Sequence, residues 1–122
     1  WEYAARGGQE FEYAGSDNLD EVGWYSDNAG GETHPVALKR PNGYQLYDMS
    51  GNVLEWVWDW HSDYPTTAVA DPKGAASGYF RVLRGGSWSS KSVFVRVAHR
   101  NKNNPSFSNS AIGGRLVRTV VP

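Results

Sequence analysis

Two carboxylates bracket a turn near the middle of the chain, and they are the residues best placed to hold a cation. Asp48 and Glu55 flank residues 49–54, whose Ser, Gly and Asn are typical of turns. Carboxylates and main-chain carbonyls are the ligands that Ca²⁺ prefers. The spacing is not that of an EF-hand loop, and two carboxylates are a thin ligand set. On spacing alone we favour carboxylates that accept hydrogen bonds from the turn's own backbone.

The other groups with reactive chemistry are scattered. His34, His61 and His99 lie far apart and show none of the paired spacings of zinc or iron sites. The serines between residues 87 and 90 lack the G-x-S-x-G context of a hydrolase. The chain has no cysteine, which excludes disulfides and thiolate metal sites within it. We therefore assign no catalytic residue.

Residues 89–111 have the composition of a recognition surface. Ser and Asn are abundant there, with two isolated rings, Phe94 and Phe107. Small polar groups with occasional aromatic rings, carried on loops, are typical of binding faces. An ordinary surface loop has the same composition, and composition alone does not separate the two interpretations.

The charges are divided along the chain. Residues 1–71 hold all 13 acidic groups, whereas residues from Pro72 onward hold none and carry nine of the 12 basic groups. Such a division indicates either a basic face for an anionic ligand or two halves that interleave and neutralise each other. We favour interleaving, because most of the arginines lie in strand-like runs. No nucleic-acid partner is expected, and no apolar run is long enough to span a membrane.

The elements that would position these residues are short. Trp56, Trp58 and Trp60 alternate with Val57 and Asp59, which predicts a strand with three indoles on one face, packed as core. Residues 1–6 read as the end of a helix stopped by Gly7-Gly8. A long loop over residues 9–46 follows, pinned by aromatic rings.

Three further strands are predicted in the second half. The first is Arg81–Arg84, continued after Gly85-Gly86 by Ser87-Trp88, with the two glycines at a bulge or close approach. Residues 93–97 alternate in polarity as a half-exposed strand does, and residues 115–120 form a closing strand. Residues 99–111 between them form a polar loop. At 122 residues this is one domain or part of one.

Several motifs together resemble the formylglycine-generating-enzyme/sulfatase-modifying-factor family. They are WEYAARGG at 1–8, THPV at 33–36, RPNGYQLYDMSGNVLEWVWDW at 40–60, DPKG at 71–74, RVLRGGSW at 81–88 and IGGRLVR at 112–118. The resemblance implies a C-type-lectin-like fold, α+β, irregular and loop-rich with short antiparallel strands. It also implies that residues 1–122 are the C-terminal portion of such a domain, whose N-terminal part would precede Trp1.

The resemblance changes the expectation for the central turn. In the family this turn holds Ca²⁺, which here implies a structural ion bound by the Asp48 and Glu55 side chains and the main-chain carbonyls of Gly51 and Val53. A second family calcium site matches only Asn28 and Gly30. Catalytic members bind copper through two cysteines after GGSW, where this chain has none, so neither copper nor enzymatic activity is expected.

A narrower resemblance is to proteins diversified by retroelements on this same fold. In them a variable region, here about 87–118, is rewritten mainly at Asn codons. The residues Ser89, Ser90, Val93, Phe94, His99, Ser106, Phe107, Ser110 and Ala111 are all reachable from such codons by changing adenines. Lys91 and Lys102 are not reachable from such codons and would come from the template, and Asn103 and Asn104 would be scaffold or unmutated positions. Gly114 departs from the pattern, because the family usually has Phe there.

These resemblances imply a non-enzymatic protein that displays a diversified surface to an unknown protein or surface ligand. The predicted contact residues are Ser89, Ser90, Lys91, Val93, Phe94, His99, Asn101, Asn103, Ser106, Phe107, Ser110 and Ala111. The alternatives are an oxidase of the formylglycine-generating type that acts with a further N-terminal part, and an inactive relative of such an enzyme.

Overall fold

A computed structural model describes residues 1–70 and 72–121. The elements in chain order are α1 (Glu2–Arg6), α2 (Leu19–Val22), β1 (Gly23–Trp24), β2 (Ser50–Gly51), β3 (Leu54–Trp60), β4 (Arg81–Arg84), a 3₁₀ helix (Ser92–Phe94), β5 (Arg100–Asn103) and β6 (Ile112–Gly113). Most of the chain lies between these elements. The predicted α+β, loop-rich class is confirmed.

The strands form two sheets. β1 and β2 pair in parallel as a two-stranded sheet, and the larger sheet has the order β5-β4-β3-β6. β4 is antiparallel to β3 and β5, whereas β6 is parallel to β3. The chain therefore returns after β4 to one edge of the larger sheet as β5 and then crosses to the opposite edge as β6. Residues 85–111 are anchored at both edges by this path.

The predicted helix end and its glycine stop are confirmed. Gly7 has φ 60°, and its N–H donates to the carbonyl of Tyr3 at 3.3 Å. A side chain there would meet the Asn42 side chain at 2.8 Å, so the position requires both positive φ and the absence of a Cβ. The Asn42 amide also bonds to two carbonyls of α1, at 2.7 and 2.9 Å.

The prediction that the three tryptophans form the core is wrong. β3 exists, but Trp58 is 82% exposed, and Trp56 and Trp60 are only half-buried. The reason is a register break: Trp56 pairs with Leu83 and Trp60 with Arg81, so four steps along β3 match two along β4. The extra residues form a bulge, and Trp58 lies within it without a paired residue on β4.

The core is instead made of smaller side chains beneath loops. One cluster contains Tyr13, Leu19, Val22, Tyr25 and Val95, and the other contains Ala5, Ala14, Met49 and Val97 with Trp1 and Leu46 against it. Both clusters include a valine from the segment 93–97. That segment is therefore part of the framework on one side.

Three strand predictions in the second half need correction. Residues 93–97 form a 3₁₀ turn and bends, because a close approach at Gly86 fixes the path: a Cβ there would lie 2.7 Å from Cγ2 of Val95. β4 ends at Arg84, so Ser87-Trp88 do not continue it. The closing strand is Ile112–Gly113, because Arg115 bonds Glu55 and residues 116–121 are exposed. The predicted polar loop 99–111 contains β5.

The long loop of residues 9–46 contains α2 and β1 and is tied around Trp24. The His34 ring stacks on the Trp24 ring with centroids 3.8 Å apart, and the Lys39 ammonium lies 4.1 Å from that centroid. Asn52 accepts from the His34 N–H at 2.9 Å and donates to the His34 carbonyl at 3.1 Å. These hydrogen bonds hold the THPV segment, residues 33–36, against the central turn.

Candidate functional site

Asp48 is buried beside the central turn and has one free oxygen. Its φ is 56°, which an Asp tolerates better than most residues. Oδ2 accepts a hydrogen bond from the Ala37 N–H at 2.8 Å. Oδ1 is buried and has no hydrogen-bond partner within the described residues. A buried carboxylate oxygen without a partner is costly, and a bound cation or water would satisfy it.

The Glu55 carboxylate, by contrast, is already engaged. Glu55 is 4% exposed and accepts from the Trp1 indole N–H at 2.7 Å. Arg115 donates to both carboxylate oxygens at 2.7 to 3.1 Å. Arg115 thereby neutralises the charge of Glu55 and occupies its carboxylate. The unpartnered oxygen of Asp48 is the one that fits a cation. The calcium set Asp48, Gly51, Val53 and Glu55 stays a prediction.

The backbone around the other predicted ligands is tightly packed. Gly51 has φ 78°, and its N–H donates to the Gly85 carbonyl at 2.7 Å. A Cβ on Gly51 would collide with the Trp24 carbonyl. Val53 is half-buried. Within residues 1–70 and 72–121, no three His, Asp or Glu side chains are grouped closely enough to hold a metal ion.

The second predicted calcium position is occupied by local hydrogen bonds. The Asn28 Oδ1 accepts from the Tyr25 N–H at 2.9 Å, and its Nδ2 donates to the Gly23 carbonyl at 2.9 Å. Gly30 is exposed with φ 69°. Burial, followed by a hydrogen bond from its hydroxyl to Asp20, raises the pKa of Tyr25 to about 12. Asn28 thus caps a turn, and its role as a calcium ligand stays a prediction.

The predicted contact segment begins with a turn fixed by serines. The Ser87 N–H donates to the Ser90 Oγ at 3.0 Å, and the Ser89 N–H donates to the Ser87 Oγ at 3.3 Å. Ser87 is buried, Ser90 is half-buried and Ser89 is exposed. The Trp88 N–H donates to the Asn52 carbonyl at 2.9 Å, which joins this turn to the central one.

The next predicted contact residues lie on and around the 3₁₀ helix. Lys91 is exposed, and the side chains of Val93 and Phe94 are 49% and 48% exposed. His99 is half-buried, with its ring edge-on to Phe94 at 5.3 Å between centroids. Burial, then the charges of Arg96 and Arg84, lower the pKa of His99. Val95, two residues from Val93, is 0% exposed.

Asn101 and Asn103 lie on β5, at the edge of the larger sheet. Asn101 is exposed and pairs with Leu83, whereas Asn103 is half-buried and pairs with Arg81. Their side chains bond to the backbone next to them. The Asn101 Oδ1 accepts from the Lys102 N–H at 2.7 Å, and the Asn103 Oδ1 accepts from the Asn104 N–H at 2.8 Å.

The last predicted contact residues lie on the crossing from β5 to β6. Ser106, Phe107 and Ser110 are exposed, with Phe107 at 43%, and Ala111 is half-buried. The Ala111 carbonyl accepts from the Leu54 N–H at 2.8 Å, and the Ser110 carbonyl accepts from the Trp88 indole at 3.3 Å. These bonds hold the end of the segment to β3 and to the serine turn.

The structure thus places the predicted contact residues on one continuous, mostly exposed stretch of chain, but it does not bring all of them into contact. Phe94 contacts His99, whereas Phe107 makes no ring contact with either within the described residues. Sequence reasoning missed an apolar groove formed by Trp56, Val57, Trp58, Arg81 and Pro105. The groove lies at the register break between Trp56 and Trp60, and tryptophan alternation carries no sign of such a break.

The Arg81 guanidinium closes one side of this groove. It lies 4.5 Å from the Trp58 ring centroid and 3.5 Å from that of Trp60, and it donates to the Trp58 carbonyl. This cation–π arrangement fixes the bulge. Because Pro105 lines the same groove, the groove adjoins the segment of predicted contact residues.

Comparison with known proteins relates this fold to one family. A family model for the sulfatase-modifying factor enzyme 1-like domain matches residues 1–120. The formylglycine-generating enzyme of Streptomyces coelicolor is 38% identical, covering 94% of this chain and 43% of its own length. The serine/threonine-protein kinase pkn1 of Chlamydia caviae is 39% identical, covering 98% of this chain and 20% of its own length.

Among solved structures, Treponema denticola variable protein 1 has a TM-score of 0.89 and 42% identity, covering 93% of this chain and 43% of that chain. The chain thus spans less than half the length of these three relatives. The likeness confirms the C-type-lectin-like fold. No helix in the described residues has the length and apolarity needed to cross a membrane. The chain belongs to the sulfatase-modifying factor enzyme 1-like family.

Proposed function

We propose that this chain is a non-enzymatic binding domain whose residues 89–111 form a variable contact face for a protein or surface ligand. The observation that carries the proposal is the division of this segment into two sets. Val95 and Val97 are buried in the two core clusters, whereas Val93, Phe94, Ser106 and Phe107 are exposed. Exposed positions on a fixed framework can change identity without unfolding it.

The likeness to a protein named as a variable protein supports the same conclusion. The face combines two half-exposed rings with small hydroxyl and amide side chains, a composition typical of binding faces that accept many ligands. The rings would supply apolar contact area, and the Ser, Asn, His and Lys side chains would supply adaptable hydrogen bonds.

The proposal is tested by changing the face as a unit. Ser89, Val93, Phe94, Ser106, Phe107 and Ser110 are randomised together among residues reachable from Asn codons, and the library is displayed and selected against several unrelated proteins. We expect most members to fold and different targets to select different faces. Loss of folding in most members would overturn the proposal. So would a gene neighbourhood with no reverse transcriptase and no near-copy repeat differing at adenines.

The alternative is enzymatic, because several relatives are named formylglycine-generating enzyme. It predicts copper-dependent oxidation of a cysteine-containing peptide by the whole gene product. The same segment would then be constant among related strains, whereas our proposal requires it to vary at the exposed positions and to remain constant at Val95 and Val97.

A further inference from the structure

The Arg115 guanidinium bridges the two ends of the central turn. Its Nη2 lies 2.7 Å from Oε1 of Glu55 and 2.8 Å from the main-chain carbonyl oxygen of Tyr47. Tyr47 directly precedes Asp48 at the start of the turn, and Glu55 ends it. Carboxylate and main-chain carbonyl oxygens are also the two kinds of ligand that Ca²⁺ takes. The guanidinium therefore closes the turn with the oxygens that a bound cation would use.

The Glu55 carboxylate has no acceptor position left for an ion. A carboxylate offers about four lone-pair sites to donors or metals. Oε1 accepts from Nε and Nη2 of Arg115, and Oε2 accepts from the same Nε and from the Trp1 indole N–H at 2.7 Å. Only 6% of the Glu55 side chain is exposed to solvent. Glu55 can therefore bind a cation only if the Arg115 guanidinium moves away from it.

The second carboxylate of the turn lacks such a partner. Asp48 is 8% exposed, its Oδ1 has no hydrogen-bond partner, and it forms no ion pair within residues 1–70 and 72–121. Burial of an unpaired carboxylate is costly. The hydrogen bonds of Arg115 go to Glu55 and Tyr47, so the guanidinium does not satisfy Asp48. A divalent cation has the charge to satisfy both carboxylates.

We propose that Arg115 and a divalent cation are alternative partners of Glu55. With Arg115 bonded to Glu55, the turn is closed without an ion. A cation that binds both Asp48 and Glu55 displaces the guanidinium, and the turn then loses its bonds to the end of the chain. Residues 116–121 beyond Arg115 are exposed. Cation binding at the turn and attachment of this terminal segment therefore exclude each other.

Calorimetric titration of the natural chain and of Arg115→Met with Ca²⁺ tests the proposal. We expect the variant to bind Ca²⁺ at least about 10-fold more tightly, because the ion no longer has to displace a bound guanidinium. Ca²⁺ should also raise the melting temperature of the variant more than that of the natural chain, since a ligand stabilises in proportion to its affinity. The matched control Arg118→Met, at an exposed arginine, should bind Ca²⁺ as the natural chain does.

Displacement of the guanidinium is measured on the natural chain, so it does not depend on whether the variant folds. The Nε–H of Arg115 donates to both oxygens of Glu55 at 3.1 Å. Saturation with Ca²⁺ should therefore shift the nuclear magnetic resonance signal of this group and leave that of Arg118 in place. Asp48→Asn should weaken Ca²⁺ binding and suppress the shift, because it removes the charge of the other carboxylate.

Equal Ca²⁺ affinity of the natural chain and Arg115→Met would overturn the proposal, because the ion would then not need Glu55. An Arg115 signal that stays in place while Ca²⁺ binds would overturn it for the same reason. Failure of both chains to bind Ca²⁺ at the millimolar concentrations that fill weak sites would show that Glu55 does not accept a cation at all. Folding of Arg115→Met in Ca²⁺ but not in chelator would support the proposal.

Discussion

Arg115 donates three hydrogen bonds to the Glu55 carboxylate across 60 positions of sequence, from Nε to both oxygens at 3.1 Å and from Nη2 to Oε1 at 2.7 Å. The same guanidinium donates to the Tyr47 carbonyl at 2.8 Å. Glu55 lies at the centre of the larger sheet, paired with Arg84 on one side and Gly113 on the other. The contact therefore ties the end of the chain to the strand that follows the central turn. It also accounts for the place of Arg115 in the IGGRLVR motif.

Removing one partner of this pair should destabilise the fold. Arg115→Met leaves a buried carboxylate without its charge partner, and we expect the free energy of unfolding to fall by roughly 3 kcal/mol, at the lower end for a buried pair because Arg115 is partly exposed. Urea denaturation measures the change. Arg118→Met, at an exposed arginine three residues on, should change the stability by less than about 0.5 kcal/mol. Equal effects of the two variants would show that the pair contributes nothing.

The free oxygen of Asp48 leads to a prediction about calcium. If a cation binds that oxygen, chelation should lower the melting temperature. Adding Ca²⁺ at about 100 times its Kd should then raise the free energy of unfolding by roughly 2.7 kcal/mol. Asp48→Ala should lower the melting temperature and remove the response to chelator. Asp63→Ala, at an exposed aspartate, is the control. If chelator has no effect on the natural chain, Oδ1 is satisfied by water and the calcium prediction fails.

The sequence predicted this fold well wherever the signal was local. The glycine stop after α1 and the strand Arg81–Arg84 are visible in the residues themselves, and the whole-chain motifs led to the fold class. The position of the tryptophan strand was predicted correctly, but the burial of its side chains was not. The register break between Trp56 and Trp60 depends on pairing with β4, which the strand's own residues do not reveal. The strand conformation predicted for 93–97 failed for a similar reason. Alternating burial survives there, but contact with Gly86 imposes a turn.

The candidate site shows the same limit. Exposure of Ser89, Phe94 and Phe107 agrees with a contact face, because polar loops are usually at the surface. The pairing of Glu55 with Arg115 was not predictable, because opposite charges 60 residues apart give no local pattern. Nor was the place of Asn101 on an edge strand predictable, since β5 itself was assigned to a loop.

The titration of His99 predicts how stability depends on pH. Burial and the neighbouring arginines lower the pKa of His99 in the folded chain, so the unfolded chain binds this proton more readily. Stability is therefore full above the unfolded pKa of about 6.5 and is lost as the pH falls from there towards the folded pKa. His99→Gln should flatten the slope of unfolding free energy between pH 7 and pH 5. His61→Gln should remove a separate part of the same pH dependence, because burial and then the charges of Lys102 and Arg100 lower the pKa of His61 too. A slope unchanged in His99→Gln would contradict the assignment.

Two valines of one segment give the sharpest test of the division between framework and contact face. Val93 is 49% exposed and Val95 is 0% exposed, although they lie two residues apart. Val95→Ala removes buried methyl groups from the cluster with Tyr13, Leu19, Val22 and Tyr25, and we expect it to lower the free energy of unfolding by about 2 kcal/mol. Val93→Ala should cost less than about 0.5 kcal/mol, because its side chain already meets water. The two variants have the same chemistry and the same 3₁₀ neighbourhood, so each controls for the other in urea denaturation. If Val93→Ala costs as much as Val95→Ala, residue 93 belongs to the framework, and the surface that this chain can vary without unfolding is smaller than proposed.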